Sequence, residues 1–366
     1  MITQDLRNTL AGWDFSADEI SDSCTNGVML NPSIDLTNAC NLNCPYCYIE
    51  EKQSQRKVRK PHELSYEEHL AIIDDLRSCG ARTINIVGAG EPSIDPHFID
   101  IIKYIHAAGM RTVLFTNGIR ISYEHSLPHF FYENGVTVVL KYNSRNHLVQ
   151  DLAAGSDGYT IKRNRALDLL LDAGFRAQEP TRLAIDVIAF RGNLSELSSI
   201  HRWCREENIF PIVGDYIPTG RTEMGRFEGH KALVTLPEGK QTEIELLLQP
   251  ITDSERERLV GSMAAIDSRL GIDRPPHFAY LGGGICTQIL GLYIDILGNL
   301  WPCVARKQRI GTALSSGLLG NTRAGSLPSS IWKSDPYIST IRRSFDGGCP
   351  YKPSLVPVDS IRGSQR

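Results

Sequence analysis

Cys40, Cys44 and Cys47 stand close together in the stretch Ala39-Cys40-Asn41-Leu42-Asn43-Cys44-Pro45-Tyr46-Cys47-Tyr48. Thiolates are soft ligands for zinc, iron and iron–sulfur clusters, and three in one loop can grip a metal group together. A structural zinc site closes with four Cys or His ligands, and no fourth candidate lies nearby in the chain. A four-iron cluster is also ordinarily held by four cysteines. Three thiolates therefore leave one iron of such a cube open, and an open metal position can take a substrate or cofactor through its own donor atoms. A zinc knuckle, or three unrelated buried cysteines, is the plainer alternative.

The chain has 366 residues and nine cysteines, an odd number, with no secretion signal at its start, so a disulfide framework is not expected. A second set, Cys286, Cys303 and Cys349, is spread over the last quarter. Tyr293-Ile294-Asp295 and Gly298-Asn299-Leu300-Trp301-Pro302-Cys303 read as a hairpin that brings Cys286 and Cys303 together. Cys24, Cys79 and Cys204 stand alone and read as packing residues. Hydrophobic residues at 41% and charged residues at 22% describe a globular chain and exclude a disordered or collagen-like one. A net charge of -3 argues against a nucleic-acid or membrane-surface partner, and no apolar run is long enough to span a bilayer. A cytoplasmic location follows from these readings.

These residues need a frame. Short β-rich runs over 33–37, 82–87, 111–116, 136–141, 183–190 and 210–216 alternate with helical patterns. Helices are expected over 64–79, opened by the Ser65/Glu68 capping box, and from the Asp95-Pro96 start to Gly109. Further helices are expected over 122–133, over 160–173 and after Asn193. Six β-α alternations imply a parallel sheet, coiled into an open or closed barrel, with the loops after the strands gathered at one edge. Those loops carry Gly88-Ala89-Gly90-Glu91-Pro92, Thr116-Asn117-Gly118, Lys141-Tyr142-Asn143-Ser144 and Tyr216-Ile217-Pro218-Thr219-Gly220-Arg221. Beyond them come a helix over 253–270, a linker at Asp273-Arg274-Pro275-Pro276, and a glycine-rich segment ending in a helix over 329–343.

C-x3-C-x2-C after the first strand of a β/α array resembles the radical S-adenosylmethionine (SAM) superfamily, and the likeness runs over about residues 30 to 350. It implies a partial (β/α)6 TIM-like barrel of the α/β class. It implies a [4Fe–4S] cluster on Cys40, Cys44 and Cys47 whose open iron chelates the methionine of SAM. An electron then cleaves SAM to a 5′-deoxyadenosyl radical that abstracts hydrogen. Tyr46 resembles the aromatic residue stacked near the adenine. Gly88, Ala89, Gly90 and Glu91 resemble the glycine-rich motif that meets the methionine amino group, with Ala89 a mild departure. Asn117 resembles a pocket-lining residue, Asn143 and Ser144 the ribose- or carboxylate-contacting segment, and Ile217 the segment that meets the adenine.

The C-x11-G-x4-C spacing from Cys286 through Gly298 to Cys303 resembles the opening of the twitch and SPASM extensions, which carry auxiliary [4Fe–4S] clusters. Twitch domains finish with C-x2-C, whereas this chain has Asp346-Gly347-Gly348-Cys349, so either Asp346 ligates the fourth iron or that iron is open. A small zinc site is the alternative. The implied layout is an N-terminal extension (1–30), the radical SAM barrel (31–222), a linker with a helix (223–280) and the auxiliary-cluster domain (281–366). The resemblance to aminocyclitol-oxidising enzymes implies a small-molecule substrate, a sugar, aminocyclitol or nucleoside, that is oxidised or epimerised. It also implies an electron donor such as flavodoxin or ferredoxin. The alternatives are a radical SAM peptide maturase and a non-catalytic iron–sulfur or zinc-binding module.

Overall fold

Six apolar runs form parallel strands in the computed structural model, which describes residues 9–49, 56–214, 233–235, 239, 241–243, 248–272, 286, 290–304 and 317–345. They are β1 (Ser33–Ile34), β2 (Thr83–Ile86), β3 (Arg111–Thr116), β4 (Thr137–Lys141), β5 (Leu183–Ile188) and β6 (Phe210–Gly214), side by side in chain order. All five pairings are parallel, as crossover helices require. The fold is the expected α/β architecture built on a parallel sheet.

Side chains alternate across each strand. One face packs Ile86, Leu114, Leu140 and Ile185 against the covering helices in the main core. The other face gathers Val113, Val139, Ala184 and Ile212 around Leu10 and Trp13. Leu10 is held there by a parallel bridge to Thr181. Residues 9–13, part of the segment expected to be an extension, thus fill the concave side of the sheet.

The helices are α1 (Ala17–Asn26), α2 (Tyr66–Ser78), α3 (Phe98–Ala107), α4 (Ile119–Tyr123), α5 (Leu127–Glu133), α6 (His147–Ala154), α7 (Tyr159–Asp172), α8 (Leu194–Glu206) and α9 (Asp253–Arg269). Capping boxes open α1, α2 and α9, satisfying N–H groups that the first turn leaves without helical partners. Neither α1 nor α6 was anticipated from the sequence.

Three helix expectations need correction. The helix expected over 122–133 is two, because Pro128 in the first turn of α5 cannot continue a helix from before it. Asp95 does not cap α3; that helix starts after His97, and Asp95 accepts the His97 N–H at 2.8 Å and pairs with Arg59 at 2.9 Å. The final helix is also divided, into α10 (Pro328–Ser334) and α11 (Pro336–Arg343), because Asp335 before a proline is extended.

The described C-terminal elements continue the same sheet. β7 (Leu233–Thr235) and β8 (Gln241–Glu243) form a separate antiparallel pair. β9 (Tyr293–Ile294) runs parallel to β1, turns through Gly298 into antiparallel β10 (Asn299–Trp301), and β11 (Gly320–Asn321) completes a nine-stranded sheet. The expected hairpin is present. Leu292, Leu300, Trp332 and Ile338 join the main core. Among the described residues no helix is long and apolar enough to cross a membrane.

Candidate active site

The three clustered cysteines line one cavity of about 280 Å³ at the carboxyl ends of the strands. Their loop is fastened at several points. Thr37 Oγ1 donates to buried Glu63 at 2.8 Å, and the Asn38 N–H reaches the same carboxylate at 3.3 Å. The Cys40 N–H donates to the Arg56 carbonyl at 2.7 Å, and the Asn43 N–H to the Ala154 carbonyl at 3.1 Å. A side chain at Gly155, the C-cap of α6, would meet the Asn43 carbonyl at 2.2 Å, so glycine permits this contact. The Cys47 N–H closes a tight turn onto the Cys44 carbonyl at 3.2 Å.

Arg56, almost wholly buried, ties this loop to the next. Its Nε donates to the Asn38 carbonyl at 2.8 Å, Nη1 reaches Cys47 Sγ at 3.5 Å, and Nη2 donates to the Ala89 carbonyl. Burial pushes the Cys40 thiol up to about 11 and the Cys44 thiol to about 12; the charge of Cys47 raises both further, and that of Cys40 adds to Cys44. Thiolates in this setting need a cationic group between them. Among the described residues no three His, Cys, Asp or Glu side chains are gathered tightly enough for a single metal ion. Three thiols facing one open cavity fit a larger, polyatomic group such as an iron–sulfur cluster, held by Cys40, Cys44 and Cys47.

The glycine loop after β2 forms the adjoining wall through Gly88, Ala89, Gly90 and Glu91. Gly90 presses on the cysteine loop so closely that a Cβ would lie 2.0 Å from the Ala39 carbonyl oxygen. Glu91 is buried, and both of its oxygens are engaged. Oε1 accepts from Ser93 Oγ at 2.6 Å and Thr116 Oγ1 at 2.7 Å, and Oε2 accepts the Asn117 N–H at 2.8 Å. Burial pushes this carboxyl up despite the donors. Glu91 is thus the knot between the loops after β2 and β3. Asn117 lines the cavity and donates through Nδ2 to Asn41 at 2.7 Å, joining a third loop to the cysteines.

Tyr46 also lines the cavity, its hydroxyl accepting from Asn143 Nδ2 at 2.7 Å. Asn143 and Ser144 are wholly buried and are not among the residues that line the cavity. Gln150 Oε1 accepts both of their backbone N–H groups, and Asn193 Nδ2 donates to the Asn143 carbonyl at 2.7 Å. That inward role is why Asn193 makes no side-chain cap on α8. Both predicted contact residues therefore act in this structure behind Tyr46.

Asp186, Trp13 and Arg56 escaped the sequence reading, which placed Lys141 only within the loop after the fourth strand. Lys141 at the end of β4 pairs with Asp186 of β5 at 2.5 Å, and its ammonium lies 5.7 Å from the Tyr46 ring centroid. An aspartate inside the apolar run Leu183–Ile188 was the available signal, because a charge in a buried strand needs a partner. Trp13 lines the cavity with its ring centroid 5.4 Å from that of Phe115. Nothing in its neighbourhood marked it, and Arg56 was hidden in a basic stretch that reads as solvated surface.

The C-terminal strand reaches this site. Buried Tyr293 of β9 donates to Asp35 and lies beside Tyr48, whose hydroxyl donates to the Gly88 carbonyl at 2.9 Å. Val304 lines the cavity beside buried Cys303, and Cys286 is also buried. Cys79 and Cys204 pack in the main core, and Cys24 is half-buried. Ile217, Asp346 and Cys349 lie outside the described residues.

The family model "Radical SAM superfamily" matches residues 34–188. The mycofactocin maturase MftC of Mycolicibacterium smegmatis is 32% identical over 294 residues, covering 77% of this chain and 67% of that protein. Its counterpart from Mycobacterium tuberculosis is 31% identical over 340 residues, covering 90% and 76%. Streptococcus suis SuiB, solved with its precursor peptide SuiA, superposes with a TM-score of 0.59 at 14% identity over 90% of this chain and 70% of that one. The anSMEcpe structure with bound AdoMet gives a TM-score of 0.58 at 13% identity, covering 92% and 95%.

Proposed function

Because the chain belongs to the radical SAM superfamily, we propose that it is a peptide-modifying member, a maturase acting on a short precursor peptide. Members of this family use a [4Fe–4S] cluster and SAM, which when bound supply a 5′-deoxyadenosyl radical able to take hydrogen from an unactivated carbon. The observation that carries the substrate class is the likeness to a maturase over 90% of this chain. A fold relative solved with its precursor peptide supports it. These relatives favour the peptide alternative over the sugar, aminocyclitol or nucleoside substrate expected first.

In this reading Cys40, Cys44 and Cys47 hold the cluster. The backbone edges of Gly88, Ala89 and Gly90, with Asn117 and Tyr46, face SAM, and Ile217 meets its adenine. Glu91, Asn143 and Ser144 position those groups. Trp13, Phe115, Ile188 and Ile212 give the remainder an apolar lining that keeps water from a reactive intermediate. Lys141 and Asp186 offer the substrate a charge of each sign. Cys286, Cys303 and Cys349, with Asp346 or an open iron, make an auxiliary cluster site within residues 281–366.

The test is anaerobic reconstitution with iron and sulfide, reduction, and incubation with SAM and either short peptides or a panel of sugars, aminocyclitols and nucleosides. Peptide-stimulated 5′-deoxyadenosine together with an altered peptide mass is the expected result. Stimulation by a small molecule alone returns the substrate to the sugar-like class. No 5′-deoxyadenosine under any condition leaves a non-catalytic cluster or zinc module.

A further inference from the structure

A second cleft, of about 600 Å³, lies between α8 and α9. Arg145, Arg202 and Arg269 line it, with Glu206 as its one lining carboxylate. All three arginines are exposed, and among the described residues none of them forms a salt bridge. The Arg145 guanidinium lies over the Trp203 ring at 5.2 Å, and Ser198 Oγ and Ser262 Oγ, 2.9 Å apart, stitch the two helices together. Three cations and one carboxylate thus concentrate positive charge on a chain whose formal net charge is -3. Like charges repel when gathered this way, and an anionic partner relieves the repulsion.

One end of the cleft, at Arg145, lies close in the chain to the residues behind the cavity wall. Arg145 follows Asn143 by two residues, and Asn143 holds the Tyr46 hydroxyl at the cavity wall. From there the cleft follows α8 between lining residues Ser195 and Glu206. That stretch of helix rises about 16 Å, the length of roughly five extended residues. Its concave shape suits one extended strand of chain better than the convex face of a folded protein.

We propose that this cleft docks an acidic segment of the peptide substrate, its Asp or Glu carboxylates held by Arg145, Arg202 and Arg269 while the reacting residue enters the barrel. The inference rests on the peptide-maturase reading and adds a recognition surface to it. Guanidinium groups suit the role because each offers a planar fork to a carboxylate.

The probe is a fluorescein-labelled hexaglutamate peptide, with hexaglutamine as control, followed by anisotropy against the full reconstituted chain. Wild type binds hexaglutamate in preference to hexaglutamine, and added salt weakens that binding. The variant R202E/R269E, with far-UV circular dichroism checked against wild type, weakens it by at least about tenfold. R202K/R269K weakens it less than the charge reversal does, since the charge is kept while the planar fork is lost. Equal binding of the two peptides, or unchanged affinity in the charge-reversal variant, overturns the proposal. So does displacement of the probe by flavodoxin but not by a modified peptide, which assigns the cleft to the electron donor. A chain that binds the probe here yet modifies no peptide removes the maturase reading and leaves the cleft an acidic-peptide site. One that modifies peptides equally well after charge reversal removes the cleft proposal alone.

Discussion

The two sides of the cavity are built differently. The side carried by β1, β2 and β3 is a set of loops knotted by buried polar groups. Arg56 joins the cysteine loop to the glycine loop, Glu91 joins the glycine loop to Asn117, and Tyr48 joins the cysteine loop to Gly88. The side carried by β4, β5 and β6 is mostly apolar, with Val139, Ile188 and Ile212, extended by Trp13 against Phe115 near the end of β3 and broken by the Lys141–Asp186 pair. Buried hydrogen-bond networks fix a geometry because every disrupted member leaves an unsatisfied group. An apolar wall fixes a volume. The difference assigns the first side to a resident group whose position must not vary, and the second to a substrate that comes and goes.

The largest expected effect tests the first side at its centre. Cys44→Ala should remove the iron held by Cys40, Cys44 and Cys47 after reconstitution, leaving only what an auxiliary site retains, and with it should go all 5′-deoxyadenosine formation. A variant that still assembles a SAM-cleaving cluster would show that the three thiols do not act as one ligand set. Trp13→Ala probes the opposite side. The ring is buried against Phe115, so its removal should cost about 3–5 kcal/mol in a urea titration. Iron bound per folded chain should stay near wild type while substrate-coupled turnover falls. If iron content falls in step with turnover, the division between the walls is wrong.

Much of this was legible in the chain, for identifiable reasons. The strands of the barrel announce themselves because both faces are covered and the runs are apolar. The capping boxes at Ser65 and Thr252 are local and need no tertiary context. The cysteine spacing located one wall, and the glycine loop the next, because close approach of backbones demands glycine at position 90. What stayed hidden depends on pairing across distance. Arg56 looks like surface until the Cys47 sulfur and the Ala89 carbonyl are seen beside it. Trp13 precedes every strand yet fills the sheet's concave face. Asn143 and Ser144 have the side chains of ligand contacts, but the Asn143 amide is taken by the Tyr46 hydroxyl and the Ile188 N–H, and Ser144 Oγ by Glu196.

Glu91→Gln sharpens the contrast at smaller cost. The substitution keeps the shape but turns one accepting oxygen into a donor that faces other donors. It should cost about 1.5–3 kcal/mol of stability. It should weaken SAM binding while leaving bound iron intact. The pH dependence has a definite sign. Burial raises the native carboxyl above its ordinary value of 4.5, so the folded state binds its proton more tightly than the unfolded chain. Through the window above that ordinary value, Glu91 makes stability fall as pH rises. Urea midpoints of the Gln variant should lack this contribution, and an identical pH slope in both proteins would contradict the assignment.

The smallest effect concerns a prop outside the cavity. Arg323, in the turn after β11, grips Glu68 through Nε at 2.6 Å and Nη2 at 2.7 Å, and donates to the His62 carbonyl at 2.7 Å. It also donates to the carbonyl of Glu63, the residue that holds Thr37 and Asn38. The C-terminal segment thereby braces the knotted side and not the apolar one. Both charged side chains are more than one-third exposed, so solvent screens the pair, and Arg323→Ala should cost no more than about 1 kcal/mol at neutral pH. The Arg323 hydrogen bond holds the Glu68 carboxyl at about 2, below its ordinary 4.5. A depressed carboxyl contributes stability that is present above the ordinary value and is lost as pH falls toward the depressed one. The gap between wild type and variant should therefore be steady near neutrality and close through that acidic window. A gap that persists at the acid end belongs to the carbonyl contacts alone, and the brace then works through geometry and not through charge.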